Sequence, residues 1–196
     1  MALTSKLTAI ADAIRAKTGE TGKMTLEQMP DKIGAISGGG GFDTSQITTT
    51  TSMFEYSEAQ SIDVSGLDVS NVSVMDRMFA YCQNIKSLDL SSLNVQEFMM
   101  SASDMFNGCM NLEVLDISSL GNLETCDHFI SECDSLSVIK IGKDSDTEPV
   151  FCYFAKDSEP NDYPEGFQIQ VPAHLVDAYK ANSSWADYVD QIVPRP

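Results

Sequence analysis

One sixteen-residue pattern occurs twice in this chain, as MFAYCQNIKSLDLSSL at 78–93 and as MFNGCMNLEVLDISSL at 105–120. Both copies contain Met-Phe-x-x-Cys, then apolar-Asp-apolar, then Ser-Ser-Leu. At the matching position of the repeat, the apolar-x-apolar element occurs four times, at steps of 26, 27 and 24 residues; these elements are 62–64, 88–90, 115–117 and 139–141. An internal period of this length indicates a repeat architecture.

Each repeat carries one short strand that cannot form a core by itself. In an apolar-x-apolar element both apolar side chains lie on one face, because successive strand residues point to opposite faces. Stacking the repeats in register pairs the strands into a parallel sheet and joins their apolar faces. We therefore predict an α/β fold in which residues 47–142 form a right-handed solenoid of about four 24–27-residue repeats. The Met-Phe-x-x-Cys segment is expected to be a short helix or helical turn that returns the chain.

Three of the five cysteines recur at the same repeat position. With no CxxC pair, the chain shows neither a disulfide framework nor a zinc signature. Cys82, Cys109 and Cys133 are therefore expected to be buried free thiols that pack as small hydrophobes; a reactive or metal-binding role is the alternative. Strand residues are expected to complete the core: Leu88, Leu90, Leu115 and Ile117.

The middle residue of each strand defines a predicted binding face. Asp63, Asp89 and Asp116 should point away from the core, and stacking in register would place them in one column about 4.8 Å apart, followed by Lys140. A column of carboxylates suits a cationic group or a polyhydroxylated ligand. In the alternative interpretation, each Asp bonds only to the Ser-rich turn that follows it.

Residues 1–37 are predicted to be a separate module of two short amphipathic helices. Two such helices cannot make a stable core unaided, so they should dock on a partner or associate with a second copy. The Gly-rich stretch 38–46 is typical of a linker. We expect residues 1–41 to be dispensable for folding of the remainder.

Residues 143–196 are predicted to be an acidic loop followed by a strand–helix cap. FQIQVP alternates like a strand, and the segment after it has helical apolar spacing suited to covering the last repeat. The acidic runs at 144–148 and 157–162 suggest calcium as an alternative to a solvated loop, but they lack the glycine and terminal glutamate of an EF-hand.

The net charge and the motifs limit which partners and reactions are expected. A net charge of -17 repels phosphate backbones, so nucleic acid is not an expected partner. The sequence has no run long enough to span a membrane and no secretory signal pattern, so neither membrane insertion nor a signal peptide is expected. His128 and His174 have no motif partners, and we predict no catalytic residue, no cofactor and no metal site.

Residues 47–142 resemble the BspA-like leucine-rich repeats, with LDLS strands and MF-x-x-C returns. That resemblance implies a non-catalytic recognition surface, often on bacterial cells. Residues 4–37 are similar to the LTAIADAIR-x-KTG element at the start of tail and other structural proteins of phages and prophages of Gram-positive bacteria. The VP-x-x-LVDAYK terminus resembles one that closes bacterial leucine-rich-repeat proteins.

These resemblances imply a non-catalytic interaction protein associated with a phage or prophage tail; the alternative is a bacterial cell-surface adhesin. The expected partner is a protein or glycan on a cell surface, and the expected location is the virion or the bacterial surface. A metal-dependent hydrolase built on the acidic loop is a third, different class. The identity of the ligand stays open.

Overall fold

The computed structural model describes residues 47–95, 98–149 and 163–196. These residues have an α/β architecture with few helices and a five-stranded parallel sheet. The sheet strands, in spatial order, are β1 (Ser87–Asp89), β3 (Val114–Asp116), β5 (Val138–Lys140), β6 (Gln168–Val171) and β7 (Ile192–Pro194). A second parallel pair is formed by β2 (Phe98–Ser101) and β4 (Asn122–Thr125). The helices are η1 (Ala173–Leu175), α1 (Val176–Ala181) and η2 (Ser183–Tyr188).

Strands β1, β3 and β5 come from successive sequence repeats and pair in register. Leu88 lies opposite Leu115, and Leu115 lies opposite Ile139. All three side chains are buried, which follows from the period of two in each strand. The apolar-x-apolar elements at 88–90, 115–117 and 139–141 therefore form the centre of the sheet, as the sequence predicts.

The first apolar-x-apolar element does not form a strand, so that prediction is wrong. Ile62 and Val64 are buried and Asp63 is exposed, yet this segment has no strand pairing with β1. The first repeat is one residue shorter than the others between its cysteine slot, which Ser57 occupies, and its apolar element. Pairing with β1 shifted by one residue would turn the side chains to the opposite face. The segment therefore keeps its two apolar side chains buried and does not form strand hydrogen bonds with β1.

The Met-Phe-x-x-Cys segments are chains of turns, which corrects the expectation of a helix. Every second amide donates to the next repeat, as Phe54 N–H does to the Met78 carbonyl at 2.8 Å and Phe79 N–H to the Met105 carbonyl at 2.9 Å. The amides between them close local turns, as Ser57 N–H does on the Phe54 carbonyl at 3.0 Å. An α-helix would use all these amides internally, so it could not bind the neighbouring repeat. We call the stacked segments the turn ladder (residues 49–57, 74–82, 101–109 and 125–133).

Inside the turn ladder, aromatic rings and thiols repeat. The rings of Phe54, Phe79 and Phe106 stack at centroid distances of 5.2 and 5.6 Å. Each repeated thiol donates to the carbonyl of the Phe in the preceding repeat, at 3.0, 3.1 and 3.2 Å for Cys82, Cys109 and Cys133. All three cysteines are free thiols and are buried. The four other residues predicted for the core are also buried; they are Leu88, Leu90, Leu115 and Ile117. A small weak donor at this position thus satisfies a buried carbonyl without needing more space.

The C-terminal residues extend the sheet beyond the last repeat. Strand β6 pairs with β5, so the strand expected within FQIQVP is present, and β7, which the sequence did not predict, pairs with β6. Tyr179, Trp185 and Tyr188 are fully buried beside these strands. Arg195 donates to the Ile141 carbonyl at 2.9 Å and so ties the C-terminus to the end of β5.

Several predictions fall on other parts of the chain. The two-helix module at 1–37, the linker at 38–46 and the acidic run at 157–162 lie outside the described residues. Among the residues that are described, no helix has the length and apolar character needed to cross a membrane.

Candidate functional site

The outward face of the five-stranded sheet carries the predicted carboxylates. Asp89 lies opposite Asp116 in the register of β1 and β3, and Asp116 lies opposite Lys140 in that of β3 and β5. We call these three residues the polar row. Asp63 is exposed before β1, but because its segment is not a strand, no ladder brings it into register with Asp89.

Each of the three carboxylates accepts a hydrogen bond from the turn that follows it. The backbone N–H groups of Ser65, Ser91 and Ser118 donate to Oδ1 of Asp63, Asp89 and Asp116 at 2.9, 2.8 and 3.0 Å. The Ser118 hydroxyl adds a second bond to Asp116 at 2.6 Å. The local-turn interpretation is therefore part of the structure. It leaves room for a ligand, since an ionised carboxylate has about four lone-pair sites.

These bonds favour the charged form of Asp63 and Asp89. Hydrogen bonds from the Ser65 side chain and backbone hold the pKa of Asp63 below its usual value. Hydrogen bonds from Ser91 do the same for the pKa of Asp89, with a smaller contribution from Lys140. Like charges opposed across neighbouring strands cost roughly 0.2–1 kcal/mol. Lys140 Nζ, 3.3 Å from Asp116 Oδ2, offsets that repulsion at one end of the row.

Polar groups border the polar row on both sides. Lys86 and Glu113, which precede β1 and β3, form an exposed ion pair at 2.9 Å. On β6, the Gln170 amide donates to Gln168 at 3.1 Å, and Gln170 lies opposite Lys140. The face therefore offers acceptors at Asp89 and Asp116 and a donor at Lys140, at strand spacing, which suits hydrogen-bonded recognition of a partner.

No group of three or more His, Cys, Asp and Glu side chains in the described ranges is placed to hold a metal ion. His174 Nε2 lies 2.8 Å from the Asp146 carbonyl, and His128 sits at a left-handed position of the turn ladder with φ 52°. In the loop after β5, Asp146 accepts from the Lys143 backbone N–H at 2.7 Å, which closes a local turn.

Two features of the turn ladder were not predicted from the sequence. Asp76 links repeats, because its Oδ1 accepts from the Ser101 hydroxyl at 2.5 Å and from the Ser103 amide at 2.9 Å. The rings of Tyr56 and Tyr81 stack on the surface with centroids 4.9 Å apart. The tyrosine pair had a sequence signal, since each tyrosine follows the repeated Phe by two residues; Asp76 had none.

The fold and this face define a class: an α/β protein whose parallel sheet is assembled from in-register sequence repeats with a polar outer row. A family model described as "Mycoplasma protein of unknown function, DUF285" matches residues 24–137, more than half of the chain. The chain therefore belongs to the DUF285 family, which is linked to BspA-like repeat proteins. No curated protein and no solved structure matches the chain.

Proposed function

We propose that this protein is a non-catalytic recognition protein that binds its partner through the polar row. The observation that carries the proposal is the register of the sheet, which opposes Asp89 to Asp116 and Asp116 to Lys140. Three short strands hold these side chains at fixed spacing, so binding a partner would require little further loss of conformational entropy. Asp63, which bonds its own turn in the same way, is proposed as an outlying member of the face.

The architectural part of the proposal is a right-handed leucine-rich-repeat solenoid of about four repeats over residues 47–142, with 143–196 as its cap. Parallel pairing of successive repeats at steps of 27 and 24 residues supports it. So do the bonds between repeats along the turn ladder, because each repeat then depends on its neighbours for its backbone partners. Membership of a family linked to BspA-like repeats points the same way.

A binding role fits the chemistry of the row better than catalysis does. A general acid or base works best with a pKa near the operating pH. The turn bonds instead move the pKa of Asp89 away from neutrality. An ionised Asp89 can accept hydrogen bonds from a cationic or polyhydroxylated ligand, and Lys140 can donate to the latter. The partner we propose is a protein or glycan on a cell surface.

The proposed setting is a phage or prophage tail, with a bacterial cell-surface adhesin as the alternative. Similarity of residues 4–37 to the start of phage structural proteins favours the first setting, and those residues are also the proposed site of self-association. Neighbouring genes separate the two settings: tail and lysis genes support a phage role, and a sortase or lipoprotein context supports an adhesin.

The experiment is a combined glycan and protein array, followed by titration of any ligand found. Asp89→Asn keeps the shape of the side chain and removes the central charge. Asp187→Asn, on the exposed side of η2, is the matched control because it removes the same charge elsewhere. We expect Asp89→Asn to weaken binding about tenfold or more, as loss of one charge-assisted hydrogen bond implies, and Asp187→Asn to leave it unchanged.

Equal effects of the two substitutions would reduce the role of Asp89 to bulk charge and refute the site. A third variant, Lys140→Met, distinguishes the ligand classes because methionine has neither the charge nor a hydrogen-bond donor. It should strengthen binding of a cationic ligand by removing a like charge, and weaken binding of a polyhydroxylated ligand by removing a donor. A divalent-metal requirement for any hydrolytic activity would instead support the hydrolase alternative.

A further inference from the structure

Two tyrosines form a stacked pair on the surface of the turn ladder. Tyr56 and Tyr81 occupy the same position in consecutive repeats, and their rings lie 4.9 Å apart with an angle of 7° between them. Tyr56 is 60% exposed and is one of two large hydrophobic side chains among the described residues that face solvent to this extent; Met110 is the other. Tyr81 is half-buried. The pair is therefore an exposed ring backed by a second ring.

The backbone at both tyrosines is unfavourable for a bulky side chain. Tyr56 and Tyr81 have φ of 59° and 58°, and Gly108 occupies the equivalent position of the next repeat with φ 75°. Glycine adopts this conformation freely, whereas a bulky residue there is rare. The positive φ belongs to the turn itself, because Glu132 has φ of 58° at the same position of the last repeat. What the turn does not require is an aromatic ring at this position in two consecutive repeats, one of them 60% exposed.

The pair is held in place by the next repeat. A Cβ atom added at Gly108 would lie 2.3 Å from Cδ1 of Tyr81, so the Tyr81 ring occupies the space that the glycine leaves open. Tyr81 is thereby fixed against backbone, and Tyr56 stacks on it. A fixed aromatic surface gives affinity because less side-chain freedom is lost on binding.

Donors and acceptors border the rings. Arg77 Nε donates to Glu55 Oε1 at 2.9 Å, and its Nη2 bonds the same oxygen. The Arg77 side chain is 45% exposed and that of Glu55 is 13% exposed. The hydrogen bond to Glu55 and the nearby charge of Asp104 raise the pKa of Arg77. Asp104 in turn accepts from the Asn107 amide at 2.8 Å. An aromatic face beside a planar ion pair thus combines an apolar surface with both kinds of hydrogen-bonding group.

We propose that Tyr56, backed by Tyr81 and flanked by Arg77 and Glu55, is a binding site for a neutral saccharide. The C–H face of a pyranose ring packs on an aromatic face, and its hydroxyls can both donate to Glu55 and accept from Arg77. The net charge of -17 disfavours an anionic ligand, and the Arg77–Glu55 pair offers a donor and an acceptor side by side, which suits the uncharged hydroxyls of a saccharide. The site lies on the turn ladder, so it is separate from the polar row.

The test is a titration with cellotriose and with tri-N-acetylchitotriose, whose pyranose rings present flat C–H faces, followed through the tyrosine ring resonances. Tyr56→Gly removes the ring and suits the positive φ, so this variant should stay folded. We expect it to weaken binding about tenfold or more, as loss of a stacked ring and its buried area implies. Met110→Ala should leave affinity within about threefold, because it removes an exposed apolar side chain outside the site.

Two results would overturn the proposal. One is the absence of any shift in the Tyr56 and Tyr81 resonances with both saccharides at millimolar concentrations. The other is binding that survives Tyr56→Gly but is lost in Asp89→Asn, which would assign the saccharide to the polar row. Loss in Tyr56→Gly with unchanged affinity in Asp187→Asn supports this site whether or not the polar row binds anything.

Discussion

Replacing Gly108 with Ala should destabilise the protein through two separable effects. With φ at 75°, an alanine pays about 1 kcal/mol for the left-handed backbone. Its Cβ would also lie 2.3 and 2.6 Å from Cδ1 and Cε1 of Tyr81, closer than real contacts, so the ring must move off the backbone. Overpacking of this kind typically costs about 1–3 kcal/mol. The expected total loss is about 2–4 kcal/mol in the free energy of unfolding.

The two effects are measured by urea unfolding of a double-mutant cycle. In a Tyr81→Ala background the contact is absent, so Gly108→Ala should cost only about 1 kcal/mol, leaving a coupling of about 1–3 kcal/mol. Gly166→Ala is the matched control, because Gly166 has φ of 85° and nothing within 4 Å of an added Cβ. If Gly108→Ala costs the same with and without Tyr81, the ring does not lie on this glycine and the stacked pair is misplaced.

Two further predictions concern the thiols and the acid limb of stability. Burial raises the pKa of the Cys133 thiol to about 12, and all four described cysteines are buried. Because the thiolate is the reactive form, iodoacetamide should label Cys82, Cys109, Cys126 and Cys133 only after unfolding. Labelling of the native protein at the rate of the unfolded chain would contradict this burial. Hydrogen bonds from Ser91 lower the pKa of Asp89 below its ordinary value of 3.8, so the stability this adds is complete above that pH and is lost as pH falls through the folded-state pKa. Asp89→Asn should therefore flatten the fall in unfolding free energy below about pH 4, and an unchanged slope would show that Asp89 does not contribute to it.

The repeat pattern predicted the centre of the sheet because periodic burial determines which residues face inward. It did not predict which apolar elements become strands. Ile62 and Val64 are buried as expected, but a strand also needs a partner in register, and one missing residue in the first repeat removes that partner. Conversely, β7 is a three-residue strand ending in Pro194, which has almost no sequence signal. Proline is tolerated there because β7 is an edge strand.

The Met-Phe-x-x-Cys segments are a second case in which the structure could not be predicted from the sequence. Apolar spacing in Met-Phe-x-x-Cys is compatible with a helical turn, and only the hydrogen bonds between repeats decide against it. Those bonds are long-range, so no local propensity reports them. The pairing of Asp89 with Asp116 was predictable from the period alone, whereas the contact of Tyr81 with Gly108 depends on a ring orientation that spacing does not contain.

Both proposed binding sites depend on the stacking of successive repeats in register. This register can be measured by scalar couplings across hydrogen bonds in an isotope-labelled sample. We expect couplings from Leu90 N to the Asp116 carbonyl and from Phe79 N to the Met105 carbonyl, which join atoms 2.8 and 2.9 Å apart. Couplings displaced by one residue, or couplings of the Met-Phe segments to carbonyls four residues earlier as in a helix, would contradict the register.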